Sequence, residues 1–169
     1  MTGAIKKSLF EILRDDLVDA NVLDIYCGTG TLGLEALSRG AQCVLFADRD
    51  RRVLHRLRRF AAEVGAERHC TLRCGDVTSR LRGWLSGWGK PVDVAFVDPP
   101  FASTRQTDWD AVCERLLTAL AKHLAEDGRV VLRLPKGVDA PEQAGGLTRT
   151  RVKQYGGMAV AWYAGRESE

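Results

Sequence analysis

The hydrophobic residues of this chain fall into short, nearly continuous runs that are separated by segments with helical spacing. Short apolar runs bounded by polar turns are typical of strands, and continuous runs are typical of strands buried on both faces of a sheet. The last two runs are joined by Tyr155-Gly156-Gly157, a short glycine turn that predicts an antiparallel hairpin. The predicted strands are Asn21–Ile25, Gln42–Ala47, His69–Arg73, Val92–Val97, Arg129–Leu134, Leu147–Gln154 and Met158–Tyr163.

Helical periodicity lies in the intervals between these strands. In Asp50–Val64, apolar residues recur every three or four positions, the spacing of a helix that packs one face on a core. Alternating strands and helices predict an α/β fold with a mostly parallel sheet, helices on both faces and a terminal antiparallel strand. We expect Gly137–Gly146 to be a surface loop and residues 1–169 to form one domain. The predicted helices are Thr31–Arg39, Asp50–Val64 and Trp109–Leu124.

Composition narrows the class of protein. Hydrophobic residues make up 45% of the chain, and no apolar run approaches the roughly 20 residues of a membrane span. The N-terminal residues lack the features of a signal peptide. The five cysteines are an odd, scattered set, so we expect reduced thiols and a cytoplasmic location. His69, Cys70 and Cys74 lack a second pair of ligands, so no metal site is expected.

A glycine-rich turn follows the first predicted strand. Gly28, Gly30 and Gly33 form the pattern G-x-G-x-x-G, which dinucleotide-binding folds share and which is therefore weak by itself. Asp24, near the end of the strand, distinguishes a dinucleotide from a cationic cofactor, because the negative pyrophosphate of a dinucleotide disfavours an anionic side chain at that place. A cofactor with a sulfonium and an α-ammonium group favours an anionic side chain there. With Tyr26 on the turn, these residues predict a site for S-adenosylmethionine, and a purely structural turn is the alternative.

Two further acids follow the second and third predicted strands. Asp48 lies about 20 residues after the glycine turn, where a carboxylate accepts hydrogen bonds from ribose hydroxyls. Asp76 is placed to accept a hydrogen bond from the adenine amino group. A helix cap is the structural alternative for both acids, and Asp50 is expected to be such a cap. The adjoining Arg49 and Val77 complete the predicted cofactor-binding set.

The tetrapeptide Asp98-Pro99-Pro100-Phe101 follows the fourth predicted strand, at the edge where α/β sheets place their chemistry. Two prolines fix the backbone and remove two N–H donors, so the Asp98 carboxylate and a proline carbonyl face one point as acceptors. An exocyclic amino group satisfies both acceptors, and Phe101 offers a flat face on which a base stacks. We expect these four residues to be catalytic in an amino methyltransferase. A Pro-Pro turn that merely ends a strand is the alternative.

These motifs resemble those of the bacterial small-subunit ribosomal RNA guanine-N2 methyltransferases, the RsmD family. The resemblance runs through nearly the whole chain. It implies a Rossmann-like methyltransferase fold and methyl transfer from S-adenosylmethionine to guanine N2, in ribosomal RNA or the assembling small ribosomal subunit. The matching segments are Ile5 to Leu13, Asp24 to Ala41, Asp98-Pro99-Pro100-Phe101 and Tyr155-Gly156-Gly157.

Three features depart from the family pattern. The family carries a basic N-terminal arm with a proline-threonine pair, and we expect this arm to be absent because the sequence starts at Met1-Thr2. Lys6-Lys7 stands where the family has an Arg-Glu pair. Arg133, near the end of the fifth predicted strand, stands where the family tends to carry a glutamate.

Contact with RNA requires cations near the site, and the net charge of +3 permits a polyanionic partner without requiring one. Lys6, Lys7 and Arg105 are the candidates for substrate binding, whereas the arginines of Asp50–Val64 are interpreted as a solvated helix face. Competing functions are amino methylation of another RNA, of DNA or of a protein glutamine, and a non-catalytic paralogue that binds cofactor or RNA. A monomer is expected.

Overall fold

A computed structural model describes residues 2–104 and 108–165. Strands and helices alternate along most of the chain, and two short 3-10 turns cover Arg14–Asp16 and Glu67–His69. The helices are α1 Gly3–Ile12, α2 Thr31–Ser38, α3 Arg51–Glu63, α4 Val77–Trp88, α5 Phe101–Thr104 and α6 Trp109–Ala121. The strands are β1 Asn21–Ile25, β2 Cys43–Asp48, β3 Cys70–Cys74, β4 Val92–Val97, β5 Leu124–Pro135, β6 Gln143–Ala144, β7 Leu147–Tyr155 and β8 Met158–Gly165.

These strands form one sheet in the order β3-β2-β1-β4-β5-β8-β7-β6. Strands β1 to β5 are parallel, and β8 lies antiparallel between β5 and β7. The predicted α/β fold, mostly parallel with a terminal antiparallel strand, is confirmed. The strand order reverses at β1, where Leu23 lies beside Leu45 of β2 on one side and Ala95 of β4 on the other. Such a reversal opens a crevice at the carboxyl ends of the strands, where ligands of α/β folds bind.

Successive residues of the central strands face two different layers of helices. Leu23 and Ile25 belong to a core that includes side chains of α4 and α6. Val22 and Phe46 belong to a second core that includes side chains of α1, α2 and α3. The prediction of helices on both faces is therefore confirmed. Because both faces of the sheet are covered, the strand ends and the turns that follow them are held on a closely packed scaffold.

Helix α4 was not predicted. Its buried residues Val77, Leu81 and Leu85 recur at every fourth position and join the core. Gly83 and Gly87 lie between and after them, and glycine lowers helix propensity by about 1 kcal/mol relative to alanine. Packing of the narrow apolar stripe on the sheet outweighs this local preference.

The segment around β5 and β6 also differs from the prediction. Strand β5 begins at Leu124 rather than at Arg129, because Leu124 pairs with Val92 across an irregularity in the register. Helix α6 accordingly ends at Ala121. The prediction of an unbroken loop over Gly137–Gly146 was wrong, since it contains β6, which pairs with the start of β7.

The described residues show three general features that bear on function. All five cysteines are free thiols. No group of three or more His, Cys, Asp or Glu side chains in residues 2–104 and 108–165 is arranged to hold a metal ion. In the same part of the chain, no helix combines the length and apolar character needed to cross a bilayer.

Candidate active site

A cavity of about 480 Å³ lies at the carboxyl ends of β1, β2 and β4. It therefore occupies the crevice that the reversal of strand order opens. The volume lies in the range usual for small-molecule sites. Its lining includes these residues that the sequence singled out: Tyr26, Gly28, Asp48, Arg49, Asp76, Val77, Asp98, Pro99 and Pro100. The remaining lining residues are Cys27, Thr29, Thr31, Thr78, Ser103, Trp109, Val112 and Arg133.

The glycine turn between β1 and α2 is tightly constrained. Tyr26, Gly28 and Gly30 all have left-handed backbones, with φ values of 58°, 52° and 77°. A Cβ atom on Gly30 would lie 2.8 Å from Leu57 Cδ1, so a side chain there would have to displace Leu57. The Gly28 N–H donates a hydrogen bond of 2.9 Å to Asp48 Oδ2, which fastens the turn to the end of β2. The turn is thus fixed in shape and brings backbone to the floor of the cavity.

Asp24 lies beneath this turn and does not line the cavity. Its side chain is buried, and its Oδ2 accepts a hydrogen bond of 2.9 Å from the Gly33 N–H in the first turn of α2. Burial raises the pKa of Asp24 to about 8, although the bond from Gly33 opposes the shift and the charges of Asp98 and Asp48 add to it. Asp24 is therefore a buried acid below the floor of the cavity, costly to ionise, and it anchors α2.

Asp48 combines a structural contact with a place in the cavity. Its Oδ2 accepts from Gly28, and its Oδ1 accepts a hydrogen bond of 2.9 Å from the Asp50 N–H. Each carboxylate oxygen retains further acceptor capacity towards the cavity, since it has two lone-pair directions. Asp50 itself begins α3 as its N-cap, accepting from the Arg52 N–H at 2.8 Å, as predicted.

Asp76 is both the N-cap of α4 and a lining residue of the cavity. Its Oδ1 accepts a hydrogen bond of 2.8 Å from the Ser79 N–H. The hydrogen bonds from Ser79 hold the pKa of Asp76 below its usual range. One residue after Val77, the Thr78 hydroxyl lies 3.2 Å from the Tyr26 hydroxyl and links α4 to the glycine turn. The cap that was the alternative interpretation of Asp76 thus coexists with its exposure to the cavity.

Asp98 lines the cavity at the end of β4 and contacts Arg133, which was not among the predicted site residues. Arg133 Nε donates to Asp98 Oδ1, and the Arg133 guanidinium lies 4.8 Å from the centroid of the Phe101 ring. Burial raises the pKa of Asp98, and the charge and hydrogen bond of Arg133 oppose that rise. Among residues 2–104 and 108–165, the hydrogen-bond donor to Asp98 is Arg133, and it bonds to Oδ1. Phe101 begins α5 and does not line the cavity.

The topology brings Arg133 to Asp98. In the register of β4 and β5, Val97 pairs with Leu132, so the residues that follow, Asp98 and Arg133, lie side by side. The sequence showed Arg133 only as a departure from the family pattern. Knowledge that β4 and β5 are neighbours was the missing signal, because these residues are 35 positions apart.

The proposed RNA-binding lysines lie outside the cavity. Lys6 Nζ forms an ion pair of 3.6 Å with Glu35 Oε2, and Lys7 is exposed on α1. Arg105 lies outside the described residues. The structure therefore does not bring Lys6 and Lys7 together with Asp98, and their role in substrate binding stays a prediction.

Comparison with known proteins finds that this chain is similar to proteins named as methyltransferases. A Bacillus subtilis (strain 168) protein provisionally named as the rRNA methyltransferase YlbH is 29% identical over 98% of this chain and 86% of its own length. The Ribosomal RNA small subunit methyltransferase D of Escherichia coli (strain K12) is 38% identical over 59% of this chain and 48% of its own length. A solved Escherichia coli structure, provisionally described as the methyltransferase yhhF, superposes with a TM-score of 0.79 at 29% identity. It covers 96% of this chain and 84% of that one.

The fold and the site define a Rossmann-like methyltransferase. The family model described as "Conserved hypothetical protein 95" matches residues 1–164, and the chain belongs to that family. The resemblance to the RsmD family is confirmed by these matches.

Proposed function

We propose that this protein transfers a methyl group from S-adenosylmethionine to an exocyclic amino nitrogen of a nucleic-acid base, namely guanine N2 of small-subunit ribosomal RNA. The observation that carries the proposal is that the Asp98 carboxylate lines one cavity together with Asp48 and Asp76, with its described hydrogen bond on Oδ1. The named activity of the Escherichia coli relative supports the choice of ribosomal RNA, although this chain matches about half of that protein.

The cavity suits S-adenosylmethionine in its donor set. The carboxylates of Asp48 and Asp76 offer acceptors for ribose hydroxyls and for the adenine amino group. Val77 and Val112 supply apolar surface for a purine ring. The buried acid Asp24 favours a cationic ligand above it, because ionisation of its carboxyl becomes less costly when a positive charge is near. When bound, the cofactor supplies an electrophilic methyl group on a sulfonium.

The Asp98 wall is suited to orient an amine. One N–H of the amino group donates to Asp98 Oδ2, and the backbone at Pro99 and Pro100 places no competing donor beside it. Held in this way, the nitrogen lone pair is drawn out of conjugation with the ring and aimed towards the methyl carbon. Attack on a sulfonium methyl needs alignment more than a strong base, so positioning supplies much of the rate. The amine loses one proton on methylation, and the Asp98 carboxylate that accepts its hydrogen bond takes up this proton.

The direct test is incubation with labelled S-adenosylmethionine and either unmodified ribosomal RNA or small ribosomal subunits, followed by nucleoside mass spectrometry. We expect N2-methylguanine as the product. A methyl group on a ring carbon or on a ribose oxygen would exclude the proposed role of Asp98. N-methylation of adenine or cytosine would retain that role and correct the substrate.

Asp48→Ala is expected to weaken binding of S-adenosylhomocysteine by roughly one to two orders of magnitude. Loss of the carboxylate removes charge-assisted hydrogen bonding that contributes about 1.5–3 kcal/mol in total, and it also releases the Gly28 N–H. Isothermal titration calorimetry measures the change. The affinity of Asp48→Asn, which retains one acceptor oxygen, should lie between those of the wild type and of Asp48→Ala. Equal affinity in all three proteins would place the ribose elsewhere.

Arg133→Met is expected to move the acidic limb of the pH–rate profile to higher pH. The Arg133 guanidinium opposes the effect of burial on the pKa of Asp98, so its removal raises that pKa further. A larger fraction of Asp98 is then protonated at a given pH and does not accept from the amine as a carboxylate. The measurement is kcat/KM against pH. Arg133→Lys retains the charge and should restore part of the profile, and coincident profiles for wild type and Arg133→Met would contradict this role.

A further inference from the structure

Most of the exposed side chains of helix α3 are basic, and Phe60, Ala62 and Glu63 near its end are the others. Its apolar residues Leu54, Leu57 and Ala61 are buried against the sheet. The exposed cationic and titratable side chains together form what we term the arginine face. Its members are Arg51, Arg52, His55, Arg56, Arg58 and Arg59.

This face lacks the acidic partners that usually accompany a solvated helix. Among the described residues, the one carboxylate within ion-pair distance of it is Asp50, 3.7 Å from Arg52 Nε. Arg52 and Arg56 are four residues apart, and Arg56 and Arg59 three apart, so like charges are neighbours on the helix surface. Arg51 and Arg52 also stand in the first turn, where the helix dipole favours anions. The arrangement therefore opposes helix stability, and an external anion would relieve it.

A groove runs between α3 and β3, the edge strand of the sheet. It has a volume of about 320 Å³, with cationic or polar side chains from Arg51, His55 and Arg58 and apolar surface from Leu54 and Leu72. This combination suits a nucleotide chain, because arginine binds phosphate oxygens in a bidentate manner and apolar surface accepts a base or a sugar.

The groove lies next to the active-site cavity, because one lining residue of each is in contact with the other. Cys74 lines the groove, and its Sγ lies 3.7 Å from the backbone oxygen of Arg49, which lines the cavity. A strand bound along α3 therefore approaches the cavity from its Asp48 side. Helix α3 is 13 residues long, which corresponds to roughly 20 Å, enough to contact several successive phosphates.

We propose that the arginine face and its groove bind the phosphodiester backbone of the RNA that carries the target base. The proposal rests on the proposed function for the identity of the polyanion. A lipid surface fits less well, because an interfacial helix buries a broad apolar face in the membrane. On α3, Leu54, Leu57 and Ala61 face the sheet, and Phe60 alone is an exposed large apolar side chain. On this proposal, the interpretation of these arginines as a solvated face is replaced by one of an RNA-binding surface.

The test compares two full-length variants that each lose four positive charges. The first carries Arg51→Gln, Arg56→Gln, Arg58→Gln and Arg59→Gln. Glutamine has a helix propensity close to that of arginine, so α3 should remain folded. The matched control carries Arg82→Gln, Lys90→Gln, Lys122→Gln and Lys136→Gln, all at exposed positions away from α3. Binding of S-adenosylhomocysteine should be unchanged in both proteins. The melting temperature of the first variant should equal or exceed that of the wild type, because repulsion between like charges on α3 is removed.

Binding of a fluorescent single-stranded fragment of small-subunit ribosomal RNA is then measured by anisotropy over a salt series. We expect the first variant to bind at least tenfold more weakly, with a slope of log Kobs against log salt that is smaller by about 3. The control should resemble the wild type. Equal losses in both variants, or no loss in either, would overturn the proposal, as would loss of binding to phosphatidylserine vesicles or to acidic peptide without loss of RNA binding. Because RNA binding is read without turnover, a wrong methylation product would refute the proposed function and leave this result standing.

Discussion

Replacement of Asp98 by asparagine is expected to lower methyl transfer by roughly 10²–10³-fold while leaving S-adenosylhomocysteine binding nearly unchanged. The change keeps the shape of the side chain but turns part of the acceptor into an N–H donor. That donor opposes the amino group of the base and leaves the Arg133 guanidinium without its anion. Single-turnover rates with saturating RNA measure the loss, because they separate chemistry from product release.

A matched control for this variant is Asp127→Asn, which makes the same chemical change at an exposed position on β5. Its turnover should equal that of the wild type. If Asp98→Asn loses cofactor affinity and turnover in the same proportion, the carboxylate serves cofactor binding and not orientation of the amine.

Replacement of Gly33 by alanine is expected to destabilise the protein by about 2 kcal/mol, which lowers Tm by roughly 4–8 °C for a chain of this size. A Cβ at this position would lie 2.4 Å from Phe46 Cε1 and 2.8 Å from Val44 Cγ1. Both neighbours are buried, so the first turn of α2 must move away and stretch the hydrogen bond from Gly33 to Asp24. Affinity for S-adenosylhomocysteine should fall as well.

Gly87→Ala is the matched control, because it makes the same substitution in α4 at a position with open space around it. Nothing lies within 4 Å of the Cβ position there. Alanine should therefore stabilise α4 by up to about 1 kcal/mol through its higher helix propensity. Thermal unfolding followed by circular dichroism compares the two variants, and a Gly33→Ala protein as stable as the wild type would show that α2 is free to shift.

The central parallel strands were predictable because they are short apolar runs buried on both faces, as Val92–Val97 illustrates. The acids Asp48, Asp76 and Asp98 were predictable because each follows such a strand, and parallel strands bring their carboxyl ends to one edge. The burial of Asp24 was not predictable in the same way, since it depends on how α2 lies across the strand end.

Contacts between segments that are distant along the chain could not be predicted from the sequence. The pairing of Arg133 with Asp98 depends on β4 and β5 being neighbours, which the local pattern does not encode. Helix α4 was not predicted because its glycines lower the local helix propensity, whereas the stability of this helix comes from packing. The sequence thus predicts strands and the residues at their ends better than it predicts what those residues touch.

The position of β8 also sets an order of events while the chain is made. Strand β8 lies between β5 and β7, yet it is the last of the described elements to leave the ribosome. Between the end of β5 at Pro135 and the end of β8 at Gly165, synthesis takes about 2–6 s at ordinary rates. Until β8 has docked, β5 carries an unpaired edge next to Val130 and Leu132, which the finished sheet keeps covered. The nascent protein is therefore open to wrong strand pairing until its final hairpin closes.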